Sequence, residues 1–343
     1  MRRCVGILMV FTLLLSIGST AQATRTWVSG NNGNWNNTAN WSGGSLPSAL
    51  ETAQINNTGT SGAIVDDTRT TGIVLLADGL ATDKAVLNIN SGANLTLNKA
   101  TTGIFILQSI AGAQGTVNQN GGTVTVGAGA GTGETRLVTS SSMTTGSATY
   151  NLYGGTLDTE ILSKGLKTAT ASFNATGGTL VVRNLINKFG KVSESLGFNQ
   201  GTCTLEMGAM NTVAAIGVGN AGNAMDYAVG TGGTMNFDIA SASSFDTITQ
   251  YGDIANTAGA TLQVDLLGTY IPNAGDHFNV WSFSAYTGQT TTSVGSGAFG
   301  VLPANWTAAW INSGTILQLT YIPEPATMAL FGLGLLAMRR NKK

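Results

Sequence analysis

One thiol and one imidazole are the side chains of the central chain that could act together as nucleophile and general base. His277 is the only histidine, so sites that need two imidazoles are excluded. Cys203 alternates with Leu205 and Met207, and this period of two places its thiol among the inward side chains of a strand. His277 follows Asp276 at a turn-to-strand junction, which is typical of a solvated residue. The pattern therefore favours a buried thiol and a surface histidine over a catalytic pair.

Acidic side chains offer two further kinds of chemistry, cleavage of polysaccharides by paired carboxylates and binding of calcium through rows of Asp and Asn oxygens. Asp66-Asp67 is the only acidic doublet, and it adjoins Thr68-Arg69 in a turn. Asp238 and Asp265 should face solvent, and spacing leaves their relative registration open. The Asp-rich nonapeptide of calcium-binding repeats does not occur. We therefore predict a protein that is not an enzyme, with no metal and no cofactor.

Three tryptophans near the start of the chain, Trp27, Trp35 and Trp41, are the candidate ligand-facing residues. Aromatic rings beside asparagine amides can stack on sugars, so a glycan platform is one hypothesis. The other hypothesis is a cap, because a stack of strands needs its open end covered. We predict that residues 24–60 form a Trp-rich N-terminal cap, with glycan contact as the alternative for these three rings.

The middle of the chain has the composition of a β-rich repeat. Glycine accounts for 47 of 343 residues, about twice the usual share of about 7%. Charged side chains make up 10%, against about 25% in ordinary proteins. A Gly-Thr signature recurs at intervals typical of solenoids, at Gly122-Thr123, Gly155-Thr156, Gly178-Thr179, Gly201-Thr202 and Gly233-Thr234. We predict an all-β fold, a right-handed parallel β-helix (β-solenoid) with coils over 61–259 and closing coils over 260–320. Tandem β-sandwiches are the alternative.

Alternation along the strands assigns each residue to a face of its sheet. Apolar residues after each Gly-Thr corner should point inward, and the polar residues between them should point to solvent. The predicted inward set is Val124, Val126, Leu180, Val182, Leu205, Met207, Met235, Phe237 and Ile239. The predicted outward set is Thr123, Thr125, Thr202, Thr204, Glu206, Thr234, Asn236 and Asp238. Two charge-rich stretches, Asp158–Lys167 and Leu185–Phe198, are predicted to leave the stack as loops.

The first 23 residues have the three parts of a secretory signal peptide. Met1-Arg2-Arg3 is a positive start, Val5–Ile17 an apolar helix, and Ala21-Gln22-Ala23 a small-residue site for signal peptidase, with Ala21 and Ala23 as the recognised residues. An uncleaved anchor is the alternative. We expect the exported chain to begin at Thr24.

The last segment, 321–343, consists of three parts of different chemical character in a fixed order. Pro323, Glu324 and Pro325 are followed by the uncharged run Ala326–Met338, predicted to be a short apolar helix, and then by four cations, Arg339, Arg340, Lys342 and Lys343. This arrangement resembles the PEP-CTERM sorting domain of Gram-negative bacteria, also catalogued under an ice-binding-protein C-terminal name. The resemblance implies processing by exosortase, a membrane protease-transpeptidase, in an organism that makes extracellular polysaccharide. A plain C-terminal membrane anchor is the alternative.

Charge and cysteine content limit the partners of the body. Of the 16 Lys and Arg, six lie in the two end segments, and of the 17 acidic residues one does, so the body carries a net charge of −6. Nucleic acid is therefore excluded as a partner. With Cys4 removed alongside the signal peptide, Cys203 is the only thiol and no intramolecular disulfide can form.

The Trp-rich opening and the closing stretch, with Tyr270-Ile271-Pro272 followed by Ala274-Gly275-Asp276-His277-Phe278, resemble exported Gly-rich β-repeat proteins of the autotransporter-associated type. Together these features predict an exported, non-enzymatic protein of the cell surface or extracellular matrix of a Gram-negative bacterium, transiently anchored by its C-terminal helix. We expect a structural or adhesive role in exopolysaccharide or biofilm. A glycan-binding or ice-binding module is the alternative, supported by the outward Thr pairs, and a polysaccharide-active enzyme is the least favoured reading.

Overall fold

The computed structural model of the chain describes residues 23–28, 30–59, 61–98, 104–108, 110–127, 133–138, 145–163, 170–187, 198–208, 211–219, 225, 227–252, 254–284 and 294–323. These residues form an all-β protein, and the short 3₁₀ turns among them are Thr38–Asn40, Ser42–Gly44 and Asn312–Gly314. Within these ranges no helix is both long enough and apolar enough to traverse a bilayer. The predicted signal helix and the predicted apolar helix after Pro325 lie outside the described residues.

The strands are short and follow one another closely. In chain order they are β1 (Thr24–Thr26), β2 (Gly33–Asn34), β3 (Thr52–Ile55), β4 (Ala63–Val65), β5 (Thr68–Thr71), β6 (Ile73–Leu76), β7 (Lys84–Ile89), β8 (Asn94–Leu97), β9 (Ile104–Gln108), β10 (Gln114–Gln119), β11 (Thr123–Val126), β12 (Glu134–Val138), β13 (Ser147–Leu152), β14 (Thr156–Ser163), β15 (Thr170–Ala175), β16 (Thr179–Asn187), β17 (Phe198–Asn199), β18 (Thr204–Met207), β19 (Ala215–Val218), β20 (Tyr227–Ala228), β21 (Thr234–Ser241), β22 (Ser244–Phe245), β23 (Thr247–Gln250), β24 (Ile254–Asn256), β25 (Thr261–Leu266), β26 (His277–Phe283), β27 (Val294–Ser296), β28 (Trp306–Ile311) and β29 (Ile316–Tyr321).

Most strand pairs are parallel, and they form rows. In the first row β5, β8, β11, β14, β16, β18, β21 and β25 pair in turn. In the second row the order is β1, β3, β6, β9, β12, β14, β16, β19, β23 and β26. The long strands β14 and β16 belong to both rows and join them into one sheet. Two further parallel sheets are β2-β4-β7-β10-β13-β15 and β17-β20-β24-β27.

Neighbouring strands of a row are one repeat apart in sequence, because the chain visits the sheets in turn. Thus β10 lies in the six-stranded sheet, β11 in the first row, β12 in the second row, and β13 beside β10 again. One column of the first row consists of threonines that pair in register, and its members are Thr123, Thr156, Thr179, Thr204, Thr234 and Thr261. The Gly201-Thr202 signature does not supply the member of this column, because Thr204, two residues later, is the partner of Thr179. Since the side-chain period is two, Thr202 and Thr204 belong to the same predicted face.

The inner face of the first row is an apolar ladder. Its side chains are buried, and in the order of the strands they are Leu95, Val124, Leu157, Leu180, Leu205, Met235 and Leu262. All nine residues predicted to point inward are buried. Burial of this kind stabilises a fold by roughly 1.5–3 kcal/mol for each large aliphatic side chain. The alternation in the sequence therefore predicted the core correctly.

Two glutamine–tyrosine pairs satisfy polar groups inside the core, and they have the same geometry. Gln119 is the last residue of β10, just before the Gly-Thr corner. Its Nε2 donates to the carbonyls of Gly122 (3.3 Å) and Thr156 (2.9 Å), and its Oε1 accepts from the Tyr150 hydroxyl at 2.6 Å. Gln200 repeats the arrangement with Tyr227 as its hydroxyl donor, at 2.7 Å. Each amide therefore joins its own corner to the next repeat.

An asparagine ladder lies on the six-stranded sheet. The Asn118 amide donates to Asn88 at 2.9 Å, Asn151 to Asn118 at 2.8 Å, and Asn174 to Asn151 at 3.0 Å. The four residues are in register on β7, β10, β13 and β15. Side-chain hydrogen bonds thus add to the main-chain pairing between successive repeats.

The two predicted loops are wrong over their described parts. β14 continues to Ser163 and β16 to Asn187, and the two strands stay paired along their length, with a register shift between Thr159 and Ile161. Asp158, in the described part of the first stretch, forms an ion pair with Arg183 on the sheet. The charges that suggested loops lie outside the described residues, and they are Lys164, Lys167, Lys188, Lys191 and Glu194. Residues 164–169 and 188–197 lie outside the described ranges.

The closing part of the described chain changes strand direction. β25 and β26 still pair in parallel with earlier strands. β29 then runs antiparallel between β26 and β28, so the second row ends in two antiparallel pairs. At the opposite end of this row β1 is the first strand, and the predicted cap segment contributes β1 to β3 directly to the parallel sheets.

Candidate functional site

The described part of the chain ends just after β29, at the start of the tail segment. The Tyr321 N–H donates to the Asp276 carbonyl at 3.0 Å, and the Ile322 N–H donates to the Asn305 carbonyl at 2.6 Å. Ile322 is half exposed, and Pro323 is the last described residue. Glu324, Pro325, Arg339, Arg340, Lys342 and Lys343 lie outside the described residues, so their predicted roles remain predictions. The tail therefore starts as soon as the last strand ends.

The N-terminal processing site is equally close to the fold. Ala23 is exposed, its carbonyl accepts from the Thr52 N–H at 3.0 Å, and the next residue, Thr24, begins β1. Ala21 lies outside the described residues. Cleavage after Ala23 remains a prediction, and it would leave β1 whole.

The two ends lie at opposite ends of the second row. β1 and β29 are ten strand spacings apart, which corresponds to roughly 50 Å at about 4.8 Å per spacing. The tail segment therefore begins far along this row from the tryptophan-rich start.

The three tryptophans do not form a glycan platform, because all three are buried. Trp41 packs edge-on against both neighbours, with ring centroids 5.1 Å from Trp27 and 4.7 Å from Trp35. The indole N–H groups are also used, since Trp41 donates to the Trp35 carbonyl at 2.8 Å and Trp27 to the Asn31 carbonyl at 3.0 Å. Sugar stacking needs an open ring face, which these residues lack. The rings instead extend the core at the β1 end of the sheet.

The thiol and the imidazole have separate structural contacts, as their sequence pattern predicted. Cys203 is buried, its thiol lies 3.3 Å from the Gln200 carbonyl, and burial raises its pKa to about 12. The thiolate that nucleophilic catalysis requires is therefore disfavoured. His277 is exposed at the start of β26, and its Nδ1 lies 2.9 Å from the Thr320 hydroxyl.

The column of threonines forms a periodic polar surface. Its six members are all partly exposed. A second threonine two residues later occurs at Thr125, but the following strands have Asp158, Val181 and Glu206 at that position. The predicted Thr123/Thr125 pair is thus in place, whereas Thr202 belongs to the turn before β18. The repeated element is one column of threonines.

Three residues predicted to face solvent are buried. Glu206, Asn236 and Asp238 lie on the polar face of β18 and β21, and each is at most 5% exposed. The loop between β18 and β19 reaches this face, because the Ala214 N–H donates to Asp246 at 2.6 Å. Alternation had identified the correct face of the sheet, but the covering of that face was missed.

These residues form an acidic cluster with Asp246 and Asp265. The Asn236 Nδ2 donates to Glu206 Oε2 and to Asp265 Oδ2, each at 2.9 Å. The Asp246 carboxylate accepts from the Asp238 N–H at 2.7 Å. We use "acidic cluster" for Glu206, Asn236, Asp238, Asp246 and Asp265.

Three carboxyl groups of the cluster, those of Glu206, Asp238 and Asp246, have a raised pKa. Burial, and then the charges of Glu206 and Asp265, raise the pKa of Asp238 to about 6, with the Thr212 main chain opposing the rise. Burial raises the pKa of Asp246 to about 7 despite two main-chain hydrogen bonds. Burial also raises the pKa of Glu206. A spacing signal for part of this cluster exists in the sequence, since Asp238 and Asp265 each follow a column threonine by four residues.

Residues 322–343 match the PEP-CTERM protein-sorting motif, which confirms the resemblance seen in the tail. No curated protein matches the chain. The motif marks an exported protein that an exosortase-type enzyme processes and that reaches a surface location. In structural terms, this is an all-β protein of mostly parallel sheets, and the sorting motif begins directly after β29, the last strand of the described residues.

Proposed function

We propose that the protein is a non-enzymatic structural or adhesive component of the cell surface or of an exopolysaccharide matrix. Its body would be a right-handed parallel β-helix, exported with the help of a cleaved signal peptide and released from transient membrane anchoring by exosortase. The proposal places it in a Gram-negative, biofilm-forming bacterium.

The β-helix part of the proposal is supported by the order in which the chain visits its sheets. A strand of the six-stranded sheet, one of the first row and one of the second row recur in that order, and each pairs in parallel with its counterpart one repeat earlier. Stacking of this kind lets a long chain bury a continuous core, because each repeat contacts only its neighbours.

One observation carries the functional part, namely the placement of the sorting motif at one end of the stack. The motif begins at residue 322, directly after β29, while β1 lies roughly 50 Å away at about 4.8 Å per strand. A protein attached through this tail would project its body from the attachment point. Such a shape suits a spacer or an adhesive element and requires no catalytic residues.

Fractionation of the producing bacterium tests the sorting step. We expect the wild-type protein in the surface or matrix fraction, and we expect Glu324→Ala and a deletion of Arg339 to Lys343 to accumulate in the membrane fraction. Asp66→Asn is the matched control, since it removes an exposed carboxylate of the body. Identical fractionation of all four proteins would contradict processing through this motif.

The structural role needs its own experiment. A strain lacking the protein should form a matrix that retains less polysaccharide or adheres less well to a surface, and the wild-type gene should restore it. An unchanged matrix would contradict the role without affecting the sorting result.

The threonine column favours a second candidate, a binding module for glycans or, less favoured, for ice. Replacing Thr156 and Thr179 by Val would remove two adjacent hydroxyls and keep the β-branched shape. Binding to a glycan array, or thermal hysteresis of the solution, should then fall relative to the wild type. If neither activity is present in the wild type, this candidate is wrong.

A further inference from the structure

The acidic cluster contains a buried carboxylate with little support and a buried amide oxygen without a partner. Asp238 is 1% exposed, and the Thr212 main chain is the group that stabilises its carboxylate charge. Oδ1 of Asn236 is 4% exposed and makes no hydrogen bond with the described residues. A buried polar atom without a hydrogen-bond partner destabilises the folded state. A buried carboxylate and an unpartnered amide oxygen beside two further carboxylates are therefore an unfavourable combination for an empty site.

Neutralising side chains are also lacking among the described residues. The described arginines form their ion pairs elsewhere, with Glu51, Asp67, Glu134, and Asp158 together with Glu160. None of these pairs includes Glu206, Asp238, Asp246 or Asp265. The negative charge of the cluster can then be neutralised in two ways, by protons on the carboxyl groups or by a bound cation.

The geometry brings oxygen ligands toward one point. Carboxylate oxygens of Glu206 and Asp265 both lie 2.9 Å from one atom, the Asn236 Nδ2, which occupies the space between them. A half-turn of the Asn236 amide exchanges this nitrogen for the unpartnered Oδ1. Asp238 lies two residues further along the same strand, directly opposite Asp265 on β25.

We propose that Glu206, Asn236, Asp238 and Asp265 bind a calcium ion on the polar face of β18, β21 and β25. Calcium accepts six to eight oxygen ligands in flexible geometry, including carboxylates and amide carbonyls. No three acidic side chains of the described chain are already spaced as ligands of one ion. Binding therefore includes the turn of the Asn236 amide and a rotation of Asp238 toward the ion.

Unlike a pre-formed metal site in an enzyme, this site is completed only when side chains turn toward the ion, while its backbone is already held in place. Asp246 holds the surrounding backbone, because its two oxygens accept from the Ala214 and Asp238 N–H groups. The ion would join three successive repeats, and it would stabilise the folded state according to its concentration relative to Kd. Extracellular calcium modules typically have Kd values of about 10⁻⁴–10⁻³ M. The inference goes beyond the proposed function and does not depend on it.

Calcium binding to the purified full chain tests this directly. After removal of metal with EGTA, isothermal titration with calcium chloride should show one ion bound per chain in the wild type and in the control Asp66→Asn. Asp238→Asn should lose the binding. Magnesium should bind more weakly, because it requires a stricter octahedral geometry. Absence of calcium binding in the wild type, or equal binding by Asp238→Asn, would overturn the proposal.

Thermal unfolding separates loss of the site from loss of the fold. In EGTA at pH 7, Asp238→Asn should unfold at the same temperature as the wild type or higher, because it removes one buried charge. Calcium should raise the midpoint of the wild type and leave that of Asp238→Asn unchanged. A variant that is already unfolded in EGTA would fail the first condition, and Asn236→Ala would then serve as the second variant, with the same expected loss of binding.

Neutralisation of the carboxylates by protons alone is the competing explanation. The pH dependence of stability, measured with and without calcium, distinguishes the two. Because the pKa values of Asp238, Asp246 and Glu206 are raised in the fold, the folded state holds more protons than the unfolded state between their ordinary pKa values and about pH 7. In EGTA, stability should therefore fall as the pH rises through this window. Calcium should reduce that fall by neutralising the charges of Glu206, Asp238 and Asp265. An identical fall with and without calcium would show that protons alone balance the cluster and would contradict the proposal.

Discussion

The hydroxyl of Tyr150 offers a test of how the repeats are held together, through the substitution Tyr150→Phe. This hydroxyl donates to Gln119 Oε1 at 2.6 Å, and both side chains are buried. The ring contacts with Phe105 and Phe173, at centroid distances of 6.0 and 5.5 Å, should survive the substitution. The change therefore removes one hydrogen bond and leaves one buried acceptor unsatisfied.

The expected cost is about 1–3 kcal/mol, the usual penalty for a buried group that loses its partner. The contribution of this hydrogen bond to stability should not vary with pH as long as the protein stays folded. Burial raises the pKa of Tyr150 far above its ordinary value and so keeps the hydroxyl protonated. Gln119→Leu should cost more, since the amide also donates to two main-chain carbonyls.

Urea denaturation followed by circular dichroism measures the free energy of unfolding, with Tyr153→Phe as the matched control. Tyr153 is 50% exposed, and surface substitutions usually change stability by less than about 0.5 kcal/mol. Repeats can unfold separately, so hydrogen exchange of β10 and β13 should locate the loss. Equal stability of the Tyr150 and Tyr153 variants would refute the assignment of this hydrogen bond to the stacking of repeats.

Three further substitutions or reactions test the fold at single positions. Gly155→Ala should lower the urea midpoint of unfolding much more than Gly92→Ala does. Both residues have positive φ, so the backbone strain is similar. A Cβ at Gly155, however, would lie 2.1 Å from the Gly122 carbonyl oxygen, whereas a Cβ at Gly92 would have nothing within 4 Å. Trp41→Ala should cost about 3–5 kcal/mol as a buried aromatic, and an unchanged melting temperature would contradict its place in the core. Cys203, buried with a pKa of about 12, should resist a thiol reagent in the native protein and react at the rate of a free thiol in urea; rapid native labelling would contradict its burial.

The core was predictable because it depends on local alternation. Val124 and Val126 flank a threonine after a glycine corner, and period two is enough to place both on the inner face. The same information is insufficient for registration between repeats. Thr204, rather than Thr202, pairs with Thr179, since the turn after Gly201 is two residues longer and no local signal marks the insertion.

The burial of part of the outer face could not be predicted from the alternation of apolar and polar residues. Alternation assigns Glu206 and Asp238 to the polar side of their strands, which is correct, but burial depends on the chain that crosses above them. The tryptophans illustrate the converse case. Trp27 and Trp41 have both the apolar area for a core and the ring faces for a ligand, and only their mutual packing decides between the two. The tail was recognisable from sequence because its signal is an order of residue types and requires no tertiary contact.

The position of β29 has a mechanical consequence for a protein sorted through its tail. Tension applied at residue 322 along the strand axis would load β29 lengthwise, between β26 on one side and β28 on the other. The main-chain hydrogen bonds on both flanks would then bear the load together, in shear, rather than breaking one after another as in peeling. The antiparallel pairs that close the sheet are thus placed where a surface-attached molecule would transmit a pulling force into its body.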